Sequence, residues 1–228
     1  MTESVLDLGE KDVRDVNAIL QGRETSPTGP YTVCNPAGKH AVAAGLTHPV
    51  HVKIDGHVGY YCAGMNEQAL ITIAGNAGTG VAENMMSGEV RVCGDASQSA
   101  GATAHGGRLI IEGDASARCA IGIKGADVVV GGSVGHMSAF MAQAGRLVVC
   151  GNAGAYLGDS LYEAEIYVRG NVESLGADCV EKDMTESHLQ ALAELLEASG
   201  IEARADSFKR FGSARALYNF KIDNAGSY

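Results

Sequence analysis

The chain has 228 residues, of which 46% are hydrophobic and 5% aromatic, and its formal net charge is −10. This length and apolar content suffice for a buried core and exclude a disordered chain. The negative charge argues against a nucleic-acid partner, since that affinity is built on Lys and Arg contacts with phosphate. No apolar run approaches the roughly 18 residues that span a bilayer, and the acidic start MTESVLDLGE differs from a secretion signal. We therefore expect a cytoplasmic protein without a membrane partner.

The first predicted element is a short helix within an N-terminal arm, residues 1–32. Apolar residues recur at the helical period between residues 12 and 21: Val13, Val16, Ile19 and Leu20. Gly22 follows as a helix stop. We expect this helix to cover the open front of the domain that follows.

The second predicted element is a solenoid, because residues 52–184 form seven consecutive 19-residue repeats without insertion. The strings VKIDGHVG, ITIAGNAG and VRVCGDAS begin the first three repeats. Residues 33–51 are interpreted as a degenerate earlier coil, in which Val33 lies 19 residues before Val52 and Pro36 alters the corner. The predicted fold is an all-β solenoid, a right-handed parallel β-helix of about eight 19-residue coils over residues 33–184.

The columns of the repeat predict the shape of one coil. Two apolar columns lie two residues apart and should face inward from a strand. A glycine column should form the first corner, where φ is positive or the backbone is crowded: Gly56, Gly75, Gly94, Gly113, Gly132, Gly151 and Gly170. A short polar column follows it. Seven residues after the corner, a column of Ala and Gly that extends back to Ala44 admits only small side chains, and each coil should have about three strands and three corners.

The last predicted elements, in residues 185–228, are an amphipathic helix that caps the rear of the solenoid and a tail. Four leucines share one face of the helix, Thr185–Ser199, which ends at Gly200. The tail segment 204–221 carries five cations against one Asp. It either packs back along the acidic solenoid or docks on another subunit, and both interpretations stay open. The residues proposed to contact a partner are Lys209, Arg210, Phe211, Arg215, Tyr218, Phe220 and Lys221.

Candidate chemistry is weak throughout the chain. Asp95 and Asp114 are successive in the polar column and could act as acid and base or bind calcium, but Asn, Ser and His at the same position indicate a solvated corner. His48 and His51 have no third metal ligand nearby. We therefore predict no catalytic, cofactor or metal site in this chain.

The remaining candidates also have simpler interpretations. The six cysteines include no CxxC pair, which favours reduced thiols in a packed interior over zinc or iron–sulfur ligands. Arg118 and Tyr156 lie two residues before the small column and are interpreted as surface side chains.

The repeats ITIAGNAGTGVAENMMSGEVRV and RLVVCGNAGAYLGDSLYEAEIYVRGN, with the upstream DVRDVNAILQG, resemble the C-terminal β-helix (GXGXG) domain of the glutamate synthase large subunit over residues 10–180. That domain is a non-catalytic spacer. A separate chain with the tail motifs SAR and YNFK looks like the β-helix subunit of N-methylglutamate synthase (methylamine–glutamate N-methyltransferase). The resemblance implies two partners, a class II glutamine-amidotransferase-like subunit and an FMN-binding glutamate-synthase-like subunit, with FMN and an iron–sulfur cluster in the partner and no cofactor here.

Two other functions are weighed against this one. The same domain also forms the β-helix subunit of formylmethanofuran dehydrogenase, although the long basic and aromatic tail fits that family less well. A stand-alone β-helix acyltransferase is disfavoured, since such enzymes use an 18-residue coil of three hexapeptides and 19 does not divide in that way.

Overall fold

A computed structural model describes residues 4–22 and 29–216 of the protein. Within these ranges the chain forms eleven β-strands in one sheet and two α-helices. The elements in chain order are β1 (Ser4–Asp7), α1 (Val13–Leu20), β2 (Tyr31–Cys34), β3 (His51–Asp55), β4 (Leu70–Ile73), β5 (Glu89–Val92), β6 (Arg108–Ile111), β7 (Lys124–Val130), β8 (Ala144–Val149), β9 (Glu165–Val168), β10 (Cys179–Lys182), α2 (Glu186–Ser199) and β11 (Lys209–Ser213).

Strands β2 to β9 stack in parallel in sequence order, and the seven turns of chain between them are the coils of a solenoid. From β3 to β9 each strand pairs with the next at an offset of 19 residues, as Val52 does with Ile71 and Leu147 with Ile166. The structural offset equals the sequence repeat. The predicted all-β parallel solenoid is therefore confirmed.

The two apolar columns fill the interior of the solenoid. From Val52 to Val168 every member of both columns is at most 2% exposed. Full burial of one such side chain stabilises a fold by about 1.5–3 kcal/mol, so the columns are the main source of stability. The core is narrow, which explains why it is built from Val, Ile, Leu and Ala and holds few aromatic rings.

The corner glycines are required by crowding. Among the seven, only Gly56 has a positive φ, +142°, so crowding, the second of the two predicted reasons, applies to the other six. A Cβ added at Gly113 would lie 2.2 Å from Asp95 Oδ1 and 2.9 Å from the carbonyl oxygen of Gly94. Each corner therefore passes too close to the preceding coil for a side chain to fit.

The rest of each coil is not made of strands, which corrects the expectation of three strands per coil. After the corner, one residue per coil forms a β-bridge, as between Val58 and Ala77. We call the ten residues after this bridge the arch. The six arches are residues 59–68, 78–87, 97–106, 116–125, 135–144 and 154–163. The fourth and fifth end in the first residues of β7 and β8, Lys124–Gly125 and Ala144.

Alternate residues of the arch have a left-handed backbone. In the first arch, Tyr61, Ala63 and Met65 have φ of 60°, 56° and 54°. A non-glycine residue in this conformation costs roughly 1–2 kcal/mol. Hydrogen bonds between coils hold the arch in place, such as that from the Ala82 N–H to the Cys62 carbonyl at 2.9 Å. The small column is thus a buried, left-handed position from Ala63 to Gly158, whereas its last predicted member, Ala177, is exposed and not left-handed.

The degenerate first coil is longer than predicted. Val33 pairs with Ile54, 21 residues later, and not with Val52. Left-handed Ala43 occupies the place predicted for Ala44. One additional residue lies in the corner around Pro36, whose ring fixes φ and removes a backbone donor. The other lies between Leu46 and Val50, whose carbonyls accept from the N–H groups of Glu67 and Leu70. An unpredicted strand, β1, pairs with β2 and extends the sheet by one member.

Helix α1 covers the open front of this first coil, as predicted. Its Val16 and Leu20 are fully buried in the core. The Asn17 amide donates to the Ala41 carbonyl at 2.7 Å and accepts from the Ala43 N–H at 2.8 Å. The helix therefore satisfies backbone groups of the degenerate first coil that have no earlier coil to bond.

Helix α2 lies along the outer face of the sheet and does not cap the rear end, which corrects the prediction. Its apolar side packs on Val129, Val148 and Tyr167, which point outward from β7, β8 and β9. Three polar contacts trace its path back towards the front, ending at β5: His188 Nε2 to Glu165 Oε1 at 3.3 Å, Arg146 Nη1 to the Ala191 carbonyl at 3.4 Å, and Arg91 Nη2 to the Ser199 carbonyl at 2.7 Å.

The rear end is closed by the tail itself. Strand β11 pairs antiparallel with β9 on one side and with β10 on the other. Among the described residues, no helix is long and apolar enough to cross a membrane.

Candidate functional site

The polar corner column forms a ladder of hydrogen bonds along the solenoid. Each side chain accepts from the backbone N–H of its counterpart one coil later. The bonds are His57 Nδ1 to Asn76 N at 2.9 Å, Asn76 Oδ1 to Asp95 N at 3.0 Å, Asp95 Oδ1 to Asp114 N at 2.9 Å, Asp114 Oδ1 to Ser133 N at 2.7 Å, Ser133 Oγ to Asn152 N at 3.0 Å, and Asn152 Oδ1 to Asn171 N at 2.9 Å. The column is therefore a structural element of the corner.

This ladder gives Asp95 and Asp114 a specific structural role. One oxygen of each carboxylate accepts a backbone N–H, and the next residue of the ladder lies one coil away. The sequence carried a signal for this role, because His, Asn, Asp and Ser all place an acceptor atom within short reach of the backbone. Our interpretation as a merely solvated corner missed it.

Metal-binding side chains are dispersed among the described residues. No group of three or more His, Cys, Asp or Glu there is arranged to hold a metal ion. His57 belongs to the corner ladder, and His188 caps α2 by accepting the Thr185 N–H at 3.2 Å. The ring of His40 stacks on Tyr60 with centroids 4.5 Å apart.

The cysteines are free thiols, four of them buried. Cys62 and Cys119 point inward from two arches, and burial raises the pKa of both thiols, that of Cys119 to about 12. Burial, assisted by the charges of Asp178 and Asp159, also raises the pKa of Cys179 to about 12. Cys93 is exposed on the sheet. The buried thiols are protonated at neutral pH and so are poor nucleophiles and metal ligands.

The four described residues of the predicted partner contact are engaged within the chain. Lys209 pairs with Glu181 at 3.3 Å, Arg210 with Glu165 at 3.1 Å, and Arg215 with Glu163 at 2.7 Å; Phe211 is only 3% exposed. Phe211 is therefore a core residue, which corrects its predicted role. The packing of Lys209–Ser213 against β9 supports the interpretation that the tail folds back on the solenoid. Tyr218, Phe220 and Lys221 lie outside the described residues.

A polar cavity of about 170 Å³ lies where the tail meets the last arch. Its lining includes Lys182, Arg210 and Arg215 together with Glu163 and Glu165. The carboxylates already pair with the two arginines, so the charges are largely balanced inside the chain. Two larger hollows, of about 360 and 350 Å³, lie on the outer face of β2–β5 and beside β11.

The arches carry most of the exposed apolar side chains. Nine large apolar residues of the described chain are exposed, and five of them lie on arches, so this face presents the apolar surface. They are Tyr60, Met65, Met86, Met141 and Tyr156. Arg118 and Tyr156 are indeed surface side chains, as predicted, and both have a left-handed backbone.

Comparison with known proteins gives a relative of nearly the same length. The chain is 58% identical over 226 residues to Protein GlxC of Rhizobium meliloti (strain 1021), covering 98% of this chain and 99% of the relative. No model of a known protein family matches the chain.

Proposed function

The chain belongs to the family of Protein GlxC, and from this premise we propose that it is a structural subunit of a glutamate-synthase-like enzyme complex. The motifs that resemble the glutamate synthase β-helix domain lie in the coils. The match to GlxC covers these coils and nearly all of the relative. The subunit itself has no active site in this proposal.

The corner ladder is the observation that carries the non-catalytic role. Its carboxylates, amides and imidazole form one polar series along the solenoid, and each one described above accepts a backbone N–H. General acids, bases and nucleophiles work through side-chain atoms aimed at a substrate. Here the polar atoms are aimed at the neighbouring coil.

We further propose that the complex is N-methylglutamate synthase, which forms N-methylglutamate from glutamate and methylamine and releases ammonia. The partners would be a class II glutamine-amidotransferase-like subunit and an FMN-binding glutamate-synthase-like subunit that holds an iron–sulfur cluster. The solenoid would bridge the two. Its rigid register, fixed by seven consecutive strand pairs, suits an element that holds two larger subunits at a set separation.

Purification of the affinity-tagged full chain from its native host tests the proposal. We expect two larger proteins to copurify, a flavin absorption spectrum in the complex, and formation of N-methylglutamate from glutamate and methylamine. The chain purified alone should be colourless. Stoichiometric flavin on the isolated chain would contradict the non-catalytic role. Molybdenum or tungsten in the complex would instead indicate formylmethanofuran dehydrogenase.

A further inference from the structure

The arches carry bulky side chains at positions where the fold accepts small ones. Two left-handed columns face outward on this side of the solenoid. The first contains Tyr61, Gly80, Ser99, Arg118, Met137 and Tyr156, and the second contains Met65, Asn84, Thr103, Gly122, Met141 and Ser160. Since Gly and Ser serve the same backbone conformation in other coils, the backbone does not require Met, Tyr or Arg there.

The bulky residues of the fourth to sixth arches are neighbours in space. The Arg118 N–H donates to the His136 carbonyl at 2.9 Å, and the Met137 N–H donates to the Ala155 carbonyl at 2.8 Å. Arg118, Met137 and Tyr156 therefore follow one another from coil to coil at about 4.8 Å per step. Met141 lies beside them, with its N–H bonded to the Asp159 carbonyl at 2.9 Å.

Three side chains of this cluster are open to solvent, and the fourth, Met137, is half-buried. Tyr156 is 58% exposed and Met141 is 39% exposed, while Arg118 is also exposed. Aromatic residues, Met and Arg are the side chains enriched in the centres of protein interfaces. We name Arg118, Met137, Met141 and Tyr156 the arch patch.

The electrostatic setting of the arch patch is unusual for this chain. The chain has a net charge of −10, yet the three arches at residues 97–106, 116–125 and 135–144 contain no Asp or Glu. They carry Arg118 and Lys124 as well as two histidines. The sixth arch, which carries Tyr156, contains Asp159 and Glu163. Both are engaged within the chain, since Asp159 accepts from Ser160 Oγ and the Ala177 N–H, and Glu163 pairs with Arg215. Neither Arg118 nor Lys124 forms a salt bridge with a described residue, whereas Arg91, Arg108 and Arg146 on the sheet all do.

We infer that the arch patch is the docking surface for a partner subunit that presents carboxylates around an apolar centre. The apolar and aromatic side chains would be buried by the partner, and its carboxylates would pair with Arg118 and Lys124. A second copy that docked through the same patch would instead place Arg118 against Arg118, and like charges in contact are unfavourable. The inference rests on the proposed function, because the partner would be one of the two proposed subunits.

The columns supply a matched pair of variants for the test. Met141→Ser with Tyr156→Ser alters the arch patch and introduces the residue that Ser160 and Ser99 already provide in the same columns. Met65→Ser with Tyr61→Ser makes the same two changes, in the same two columns, on the first regular arch. Arg118→Glu, with Arg14→Glu on α1 as its control, tests the charge.

Binding of each full-length variant to each of the two purified partner subunits is measured at low and at high salt. The patch double variant and Arg118→Glu should each lower the affinity for one partner subunit at least about tenfold. The affinities of both controls should stay within about threefold of wild type. The wild-type affinity should fall as salt rises. Melting temperatures of all variants show whether any loss of binding comes from unfolding.

Three outcomes would overturn the inference, and they differ from failure of the proposed function. If the patch variants bind as tightly as their controls, the arch patch is not the docking surface, and the proposed role as a structural subunit is unaffected. A wild-type chain that dimerises alone, with the dimer lost in the patch double variant, would identify a second copy as the occupant. A wild-type chain that binds neither subunit would overturn the proposed function together with this surface.

Discussion

The outer face of the sheet and the arches carry similar side chains, but those on the sheet have partners within the chain and those on the arches are exposed. On the sheet, Arg146 pairs with Asp127 from the preceding coil, and Val148 lies buried beneath α2. On the arches, Arg118 has no carboxylate partner among the described residues and Tyr156 is more than half exposed. The chain therefore completes most of its sheet by itself. The contrast teaches that surface composition alone does not identify an interface, and that the partners within the chain must be accounted for first.

The largest expected effect on stability comes from weakening the packing of α2 on the sheet. Leu192→Ala truncates a fully buried side chain between α2 and the sheet, and large-to-small changes of this kind cost about 2–5 kcal/mol of unfolding free energy. Urea denaturation of the full chain measures the loss. Glu197→Ala, on the exposed side of α2, is the control and should stay within about 0.5 kcal/mol. Equal values for the two variants would show that α2 does not cover the sheet.

A second comparison sets a sheet arginine against an arch arginine. Arg146 donates to both carboxylate oxygens of Asp127 at 2.7 Å, and both side chains are about three-quarters buried. Arg146→Ala should lower the free energy of unfolding by about 1–2 kcal/mol, allowing for partial exposure to solvent. Arg118→Ala should change it by less than about 0.5 kcal/mol. Thermal unfolding of both variants checks the difference, and a comparable loss at Arg118 would indicate an internal role for that arginine.

A third comparison concerns the backbone and predicts opposite signs. Thr72→Gly, within β4, should destabilise the chain by about 0.5–1 kcal/mol, since glycine loses more conformational freedom in a strand. Ser99→Gly should be neutral or stabilise it by up to about 1 kcal/mol, because φ at Ser99 is 59° and glycine adopts this conformation without strain. Chemical denaturation of the pair is the measurement. Loss of stability at Ser99 would contradict the left-handed assignment of the arch.

The smallest perturbation uses thiol reactivity and leaves the fold unchanged. At pH 8, iodoacetamide should modify Cys93 on the sheet before Cys119 in the arch, as followed by peptide mass spectrometry. Cys93 is exposed, although partial burial and Glu112 raise its pKa and slow the reaction relative to a free thiol. Cys119 is buried with a pKa of about 12, so it holds little thiolate at this pH. Equal rates in the folded protein would contradict this packing.

Alkaline pH extends the thiol comparison to stability. The pKa of Cys119 is about 12 in the folded chain against 9.0 for an ordinary thiol. A raised folded pKa means that stability is retained below pH 9 and is lost as the pH rises from 9 towards 12. Each such thiol adds a slope of up to about 1.4 kcal/mol per pH unit. A free energy of unfolding that stays constant between pH 9 and 11 would be inconsistent with these buried thiols.

The sheet could be predicted from the sequence because the same apolar pattern returns every 19 residues. Repeated apolar pairs such as Val90 and Val92 specify a strand, and the fixed interval of 19 residues specifies parallel, in-register stacking. The outward column also held a signal for the covering helix. It changes from the polar Thr72 and Arg91 to the apolar Ile110 and Val129, and such a change indicates a covered face.

The arches and the tail could not be predicted in the same way. Left-handed backbone at Thr103 opposes the preference of a β-branched residue, and it is held by bonds to neighbouring coils that a single coil does not reveal. The site of β11 depends on which edge of the finished sheet stays open. Five residues, Lys209–Ser213, carry too short a pattern to indicate that edge. Phe211 is buried because β11 inserts between β9 and β10.

The corner ladder makes the length of the solenoid a countable quantity. Each rung joins a side chain to the amide of the next coil, so one 19-residue unit can be removed or added with every remaining rung intact. The separation between the two ends then changes in steps of about 4.8 Å. The number of coils therefore sets the distance between the two ends of the solenoid. Any two proteins held at its ends would be set apart by a whole number of coils.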